Sequence, residues 1–448
     1  MADILIKNIT LMETQPPFTI TEGADVVITG SVIEKAGVGA GAGIEASKVI
    51  DGSGKILIPG NVCAHHHYYS ALSRGMLISA GPQTDFIQVL KEWWWRLDRA
   101  LDEESIYYSS LVASMEAVRA GTTGIVDHHA SPAFIKGSLS AIAKGMEEVG
   151  VHGVTCYEVT ERNDGINEAL AGVNENIRFA SEIDRRAEQG EDVLTEAMIG
   201  AHAPFTLSDE ALGLLFDATT ETGRGLHIHV AEDKYDSIWS HHFYGDDILA
   251  RLCRFNLLDE KTLLVHGVAL SEKEVDMLNE RGCFLAHNAR SNMNNHVGYF
   301  PYLSKVKKSV IGTDGCGGNM FEELKIAFFK NKDASGSWWP ADYLTSLSRG
   351  NMLLESAFRG RARFGRIAPG YKADLVILSY APPTPLKSEN AATHFVWGMC
   401  SENVESTIIN GRLVYENHHF TALDEERIFR EARRVAERVW AEADSIKA

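Results

Sequence analysis

Two histidines separated by a single residue, His65 and His67, follow a turn formed by Pro59 and Gly60. Residues i and i+2 of an extended strand point to the same side. Both imidazoles can therefore approach one metal ion, while His66 points away from it. Imidazole nitrogen is a common ligand of Zn²⁺ and of other divalent transition metals. The motif favours a metal site, provided that further ligands lie elsewhere in the chain.

Other ionisable side chains follow short apolar segments later in the sequence. They are His202, His229, Glu232, His266 and Asp314. Taken singly, each has a structural explanation, such as a turn-forming Asp before Gly or an acidic first helical turn. As a set they indicate one site, because the carboxyl ends of the strands of a parallel barrel meet on one face.

Eight apolar segments alternate with helical patterns between residues 58 and 315. The segments are 58–65, 124–128, 153–159, 196–203, 226–231, 263–268, 284–288 and 310–315. Ser271 and Glu274 form a capping box and Ser208 is a helix start, so helices separate the strands. The alternation predicts an α/β fold, a (β/α)8 TIM-type barrel, with an open doubly wound sheet as the fallback.

Both ends of the chain have the pattern of antiparallel β-structure instead. We expect residues 1–57 and 365–420 to form one small composite, sandwich-like β domain beside a barrel of residues 58–364. Asn410 and Gly411 predict a hairpin turn in its second half. Residues 421–448 carry an amphipathic pattern and predict a C-terminal helix.

The composition predicts a cytoplasmic protein. The formal net charge is −18, which argues against a nucleic-acid or anionic-membrane surface. The first residues do not resemble a signal peptide, and no apolar run is long enough to cross a membrane. The six cysteines form no CxxC pair and are expected to be reduced thiols.

The order of these motifs resembles the amidohydrolase superfamily. The pattern is PG-x4-H-x-H, then H-x-x-E, then a His, a Ser-Asn loop and T-D-G. Within the superfamily the chain is similar to the cytosine deaminase, chlorohydrolase and guanine deaminase branch, and most of all to the SsnA group of aminohydrolases. Residues 93–105 and 287–299 carry this narrower resemblance, which runs from the first strand to the last helix.

The resemblance implies a role for most of these residues. It implies Glu232 as the proton shuttle, His266 as the group that stabilises developing charge, and Asp314 as both ligand and base. The implied metal ligands are His65, His67, His229 and Asp314. The candidate substrate contacts are His202, Ser70, Asn292 and Arg74. Some relatives have Gln at the position of Ser70, so the exact substrate does not transfer. Trp93 to Trp95 either line the mouth of the site or pack in the core or between subunits, and packing is the favoured interpretation.

Three nitrogen donors and one oxygen donor suit Zn²⁺, with Fe²⁺ as the alternative. Binuclear members of the superfamily use a strand-four lysine, and residues 196–203 contain none. We therefore expect one divalent ion.

The resemblance implies a metal-dependent aminohydrolase that acts on C–N bonds other than peptide bonds. It would deaminate a small N-heterocycle of purine, pyrimidine, pterin or triazine type, and purine metabolism is favoured. A ring-opening amidohydrolase and a non-catalytic metal-binding barrel are the alternatives. A homodimer or higher homo-oligomer is expected from the same resemblance.

Overall fold

The computed structural model of the protein describes residues 1–447 and begins with five strands. They are β1 (Ala2–Met12), β2 (Ile20–Thr29), β3 (Val32–Val38), β4 (Ala46–Asp51) and β5 (Ile56–Pro59). β1 pairs antiparallel with β2 and parallel with both β4 and β5. Their apolar side chains form one core with those of the last strands of the chain.

The next strands all run parallel. They are β6 (Asn61–His66), β7 (Thr122–Asp127), β8 (His152–Thr155), β9 (Thr195–Ala197), β10 (Ile199–Ala201), β11 (Leu226–Val230), β12 (Leu263–His266), β13 (Phe284–His287) and β14 (Ser309–Ile311). β9 and β10 are two parts of one strand interrupted at Met198, so the barrel has the eight predicted strands.

Isolated bridges rather than regular ladders close the ring. β6 to β9 form one parallel sheet and β10 to β14 form another. Single parallel bridges join the two sheets, between His66 and Asp314 at one seam and between Val159 and Ala201 at the other. The predicted (β/α)8 architecture is confirmed, and the first seam lies directly beneath the candidate metal ligands.

The first predicted strand, 58–65, is in fact two strands in two sheets. β5 pairs with the C-terminal part of the chain, whereas β6 pairs with β7. The chain changes sheets at Gly60, where an added Cβ would lie 2.1 Å from Thr123 Oγ1. Only glycine allows the two backbones to approach so closely.

Within residues 1–447, fifteen α-helices lie between and after these strands. They are α1 (Phe86–Val89), α2 (Trp95–Arg99), α3 (Glu103–Arg119), α4 (Ser138–Val149), α5 (Ile166–Glu188), α6 (Asp209–Thr222), α7 (Lys234–Tyr244), α8 (Ile248–Arg254), α9 (Glu272–Arg281), α10 (Ala289–Asn294), α11 (Met320–Asp333), α12 (Pro340–Ser348), α13 (Gly350–Ala357), α14 (Ala391–Thr393) and α15 (Glu425–Ser445). The predicted caps at Ser208 and Ser271 both accept backbone hydrogen bonds at helix starts.

Four strands complete the terminal sheet. They are β15 (Leu375–Leu378), β16 (Val404–Ile409), β17 (Arg412–Glu416) and β18 (His419–Phe420). β15 pairs antiparallel with β5, so both ends of the chain share a nine-stranded sheet. Asn410 and Gly411 have φ angles of 51° and 73°, which the predicted hairpin turn requires. The domain boundaries themselves stay a prediction.

The C-terminal helix, α15, packs against the barrel helix α3. Its buried side chains are Ile428, Ala432, Val435, Val439 and Ala443, which lie at helical spacing. The predicted range 421–448 is longer than the observed helix, and its last residue, Ala448, lies outside the described residues. Within residues 1–447, none of the helices combines the length and apolarity that a membrane crossing requires.

Candidate active site

Four side-chain atoms from three barrel strands converge at the carboxyl ends of the strands. His65 and His67 come from the end of β6, His229 from β11, and Asp314 from the loop after β14. Asp314 Oδ1 lies 3.2 Å from His65 Nε2 and 3.0 Å from His67 Nε2. His229 Nε2 lies 3.3 Å from His65 Nε2 and 3.2 Å from His67 Nε2. Ligand bonds of about 2.0–2.1 Å in a tetrahedron require edges of about 3.3 Å, so these atoms fit one Zn²⁺-sized ion.

The hydrogen bonds of His67 and His229 show which of their ring nitrogens face the centre of the cluster. His67 Nδ1 donates to the carbonyl oxygen of His128 at 2.6 Å, and His229 Nδ1 donates to that of His202 at 2.9 Å. In the neutral rings, both Nε2 atoms therefore present lone pairs to each other. Two lone pairs at this distance repel, and a cation between them removes the repulsion.

Charge at the cluster favours a cation as well. Burial raises the pKa of Asp314, but His67 and His65 outweigh burial and hold that pKa well below its ordinary value. Burial lowers the pKa of His67, yet the Asp314 carboxylate outweighs it and raises the pKa to about 9. Burial holds the pKa values of His65 and His229 well below their usual range, so those rings stay neutral ligands.

Beside the cluster, Glu232 and His266 form a second pair. Glu232 Oε2 lies 3.5 Å from His266 Nε2. His266 Nδ1 donates to Asn292 Oδ1 at 2.8 Å, so the neutral ring offers a lone pair at Nε2. Burial raises the pKa of Glu232, and the Asp314 carboxylate adds to the effect. A raised pKa and a position at the cavity wall suit a carboxyl group that delivers a proton to a ligand in the pocket.

Left-handed backbone conformations hold these strand ends in place. Ala231, His266 and Asp314 have φ angles of 48°, 70° and 53°. Such conformations cost a non-glycine residue about 1 kcal/mol or more and concentrate at functional sites. Ala231 donates its N–H to the buried carboxylate of Asp236 at 2.8 Å, which fixes the turn that carries Glu232.

An open cavity reaches the cluster from the carboxyl-end face of the barrel. Its lining side chains are aromatic or acidic for the most part, with polar groups near the cluster. They include Tyr69, Phe86, Trp94, Trp95, Phe205, Asp98, Glu158, Glu232, Asp233, Asp236, His202, Ser70 and Asn295. An apolar wall with a few polar groups is typical of a small-molecule site.

Two of the four candidate substrate contacts line the cavity, and the other two do not. Ser70 and His202 line the cavity. Asn292 lies behind His266 and orients that ring instead. Arg74 is outside the cavity, where its guanidinium makes two hydrogen bonds to Glu116 at 2.5 and 2.8 Å. The sequence contained no sign of that ion pair, because the two residues lie on separate elements.

The sequence interpretation missed several residues of the cavity wall. Trp94 and Trp95 line the cavity, although the triplet was interpreted as packing. Glu158 and Asp98 were not considered at all. Glu158 ends the predicted third strand, so an acidic residue at that strand end was the available signal. Asp98 lies in a helix far from any predicted strand, and no sequence pattern connects it to the site.

Comparison with known proteins supports the resemblance. The chain is 30% identical over 463 residues to 5'-deoxyadenosine deaminase of Methanosarcina mazei, with 99% of this chain and all of the relative covered. It is 27% identical to a 5-methylthioadenosine/S-adenosylhomocysteine deaminase of Thermoanaerobacter pseudethanolicus, covering 95% and 96%. A zinc-bound adenosine deaminase structure from Xanthomonas campestris superposes with a TM-score of 0.82 at 20% identity, covering 98% and 99%.

The narrower SsnA assignment stays a prediction. The superfamily assignment rests on the motif order, on the barrel and on the full-length relatives together. The amidohydrolase family matches residues 56–414, which span the whole barrel and, in the terminal sheet, β5, β15, β16 and most of β17. The protein therefore belongs to the amidohydrolase family.

Proposed function

We propose that this protein is a metal-dependent aminohydrolase that deaminates a small N-heterocycle, with an adenosine-type purine as the favoured substrate. One observation carries the proposal: four ligand atoms, each 3.0–3.3 Å from two of the others, stand beside a buried carboxyl group with a raised pKa. The relatives of similar length carry the names of adenosine-type deaminases, which supports the purine assignment.

We propose one divalent ion, Zn²⁺, held by His65, His67, His229 and Asp314, with Fe²⁺ as the alternative. Within residues 1–447, the other groups of three potential ligands nearby are His67, His128 and Glu158, and His128, Cys156 and His227, and the first of them would have to share His67. His67 uses Nε2 toward the cluster and Nδ1 toward a carbonyl, so neither nitrogen is left for another ion. The interrupted fourth strand, 195–201, contains no lysine that could bridge two ions.

When bound, such an ion lowers the pKa of a water molecule toward neutrality and so supplies a nucleophile. Glu232 then delivers its proton to the ring nitrogen next to the reacting carbon. His266 Nε2, 3.5 Å from Glu232 Oε2, faces that carboxyl group across the cavity. Asp314 accepts one proton of the attacking water and passes it to the departing amino group, which leaves as ammonia. The remaining proton of the added hydroxyl returns to Glu232 as the product carbonyl forms.

The test combines metal analysis with an ammonia-release screen of purine nucleosides, purines, pyrimidines, pterins and triazines. We expect one Zn²⁺ per chain and ammonia release that chelation abolishes and Zn²⁺ restores. Substrate loss without ammonia would favour ring opening, and a stable metal complex without turnover would favour the non-catalytic barrel. Two ions per chain would contradict the single-metal site.

We also propose that the protein works as a homodimer or higher homo-oligomer in the cytoplasm, with no nucleic-acid or membrane partner. The excess of acidic residues supports the absence of nucleic-acid binding. Light scattering coupled to size-exclusion chromatography determines the oligomeric state, and a monomer at micromolar concentration would contradict the proposal.

A further inference from the structure

A buried carboxylate in the cavity wall takes no part in the proposed chemistry. Glu158 lies just past the end of β8, is 4% exposed and lines the cavity. One of its oxygens is within 4.8 Å of ring nitrogens of His67 and His128. A ligand bound at the metal cluster would therefore have one side close to this carboxylate.

Two imidazoles flank Glu158, and each directs a nitrogen lone pair, rather than an N–H donor, at its carboxylate. His128 Nδ1 lies 3.4 Å from Glu158 Oε2. The other nitrogen of that ring, Nε2, donates to the carbonyl oxygen of His227 at 3.2 Å. The neutral His128 ring has only one proton, so its Nδ1 presents a lone pair to the carboxylate.

The second imidazole repeats this arrangement on the other oxygen. His202 Nε2 lies 3.4 Å from Glu158 Oε1. His202 Nδ1 pairs with Thr206 Oγ1 at 2.8 Å, and that hydroxyl donates its own proton to the Ala203 carbonyl oxygen. His202 Nδ1 must therefore be the donor, which leaves a lone pair at Nε2.

Neither ring is a cation at neutral pH. Burial lowers the pKa of His202 to about 3 and also lowers that of His128. Within residues 1–447, Glu158 Oε2 has no hydrogen-bond partner. A buried carboxylate without a donor is costly, and a bound molecule that brings donors removes that cost.

The rest of the cavity wall carries several carboxyl groups and neither Lys nor Arg among the described residues. Asp98, Glu232, Asp233 and Asp236 line it together with Glu158. The nearest guanidinium, that of Arg162, is engaged by Asp98 at 2.7 Å. The wall therefore has no Lys or Arg to pair with a phosphate or carboxylate group, whereas its oxygens accept hydrogen bonds from neutral donors.

We propose that Glu158 selects the substrate. It accepts hydrogen bonds from hydroxyl or N–H donors of an uncharged ligand, and the acidic wall around it excludes heterocycles that carry a phosphate or carboxylate nearby. This rests on the proposed function and narrows it to uncharged substrates. Two sources share the required donor chemistry: the sugar hydroxyls of a nucleoside and the N–H groups of a heterocycle.

Calorimetric titration of the zinc-loaded Glu232→Gln variant measures ligand binding without turnover. The probes are adenosine, 2',3'-dideoxyadenosine, adenine and adenosine 5'-monophosphate. We expect adenosine to bind at least 10-fold more tightly than the monophosphate. Adding Glu158→Gln to this variant should weaken the binding affinity of the tightest-binding neutral probe about 10- to 100-fold, the usual effect of losing a charged hydrogen bond. It should also reduce the preference for adenosine over the monophosphate.

The dideoxy probe separates the two donor sources. If the sugar hydroxyls are the donors, dideoxyadenosine binds weakly and is insensitive to Glu158→Gln. If N–H groups are the donors, dideoxyadenosine binds well and its affinity still falls in Glu158→Gln. Glu221→Gln on the exposed face of α6 is the matched control and should change nothing. Glu158→Asp keeps the charge and should still exclude the monophosphate, so the test remains decisive if Glu158→Gln does not fold.

Equal affinity for adenosine and its monophosphate, or unchanged affinities in Glu158→Gln, would overturn the assignment. Failure of every neutral probe to bind would overturn it too. Failure of the proposed function is a different result: no ammonia from any heterocycle in the screen, while the wild-type protein still prefers uncharged ligands. Metal content is measured for each variant, so that a change in affinity is not mistaken for loss of the ion.

Discussion

His227 accepts a hydrogen bond of 2.9 Å at Nε2 from His65 Nδ1, the nitrogen that faces away from the metal cluster. With His65 Nε2 directed at the cluster, its Nδ1 carries the proton. The other nitrogen of His227 lies 3.5 Å from the Cys156 thiol. Metal-binding histidines usually donate to a carboxylate or carbonyl oxygen, and here a second buried imidazole takes that position.

His227→Ala should therefore weaken zinc binding about 10- to 100-fold, the typical cost of removing the partner of a ligand. Competition with a chelator of known affinity measures the effect. His152→Ala is the control, because His152 is equally buried and bonds Asp374 at 2.7 Å at the junction with the terminal sheet. That variant should lower thermal stability without changing zinc affinity, and equal zinc affinities of the two variants would contradict the role of His227.

Glu232→Gln should keep the metal and lose turnover. The amide cannot deliver a proton, and general acid catalysis contributes about 10²- to 10⁴-fold. Metal analysis and kcat for ammonia release are measured on one preparation. Glu188→Gln, at the exposed end of α5, is the charge-matched control. Turnover of Glu232→Gln within threefold of wild type would rule out Glu232 as the shuttle.

Asp236 should make the protein less stable as the pH rises. Burial raises its pKa to about 7, against an ordinary value of 3.8. The folded state therefore keeps a proton that the unfolded chain releases, and this stabilisation is present below the unfolded pKa and disappears as the pH rises through 7. Between pH 5 and pH 8 the loss is about 2–3 kcal/mol.

Chemical denaturation of wild type and Asp236→Asn across this range tests the effect. As the pH rises, the unfolding free energy of the wild type should fall relative to that of Asp236→Asn. A difference that stays constant from pH 5 to pH 8 would show that Asp236 titrates normally.

Arg96 should couple the C-terminal helix to the cavity wall. Its buried guanidinium donates to the carbonyl oxygens of Ser79, Ala443 and Asp444 at 3.0–3.1 Å. The adjacent Trp94 and Trp95 line the cavity. Arg96→Met leaves these carbonyls without donors, so we expect a loss of about 2–4 kcal/mol and a raised KM.

Thermal unfolding and steady-state kinetics measure the two effects of Arg96→Met. Arg433→Ala on the exposed face of α15 is the control and should alter neither. A destabilised variant with unchanged KM would show that the helix supports the fold but does not position the aromatic wall.

Local pattern in the sequence was sufficient for the architecture. Eight apolar segments predicted eight barrel strands, the capping residues Ser208 and Ser271 marked helix starts, and Asn410-Gly411 marked a hairpin. These signals depend on residues that are neighbours along the chain. The four candidate metal ligands could also be predicted, because strand ends of a parallel barrel share one face and the motif order resembles a known family.

Only the tertiary structure decided what depends on contacts between distant segments. It separated β5 from β6 at Gly60, where Thr123 allows no side chain. It paired Arg74 with Glu116 and placed Asn292 behind His266. It left Glu158 between two imidazole lone pairs, an arrangement that depends on hydrogen bonds from several strands. Strand order and residue type follow from the chain itself, whereas tautomers, ion pairs and the charge of the cavity wall arise only when distant groups meet.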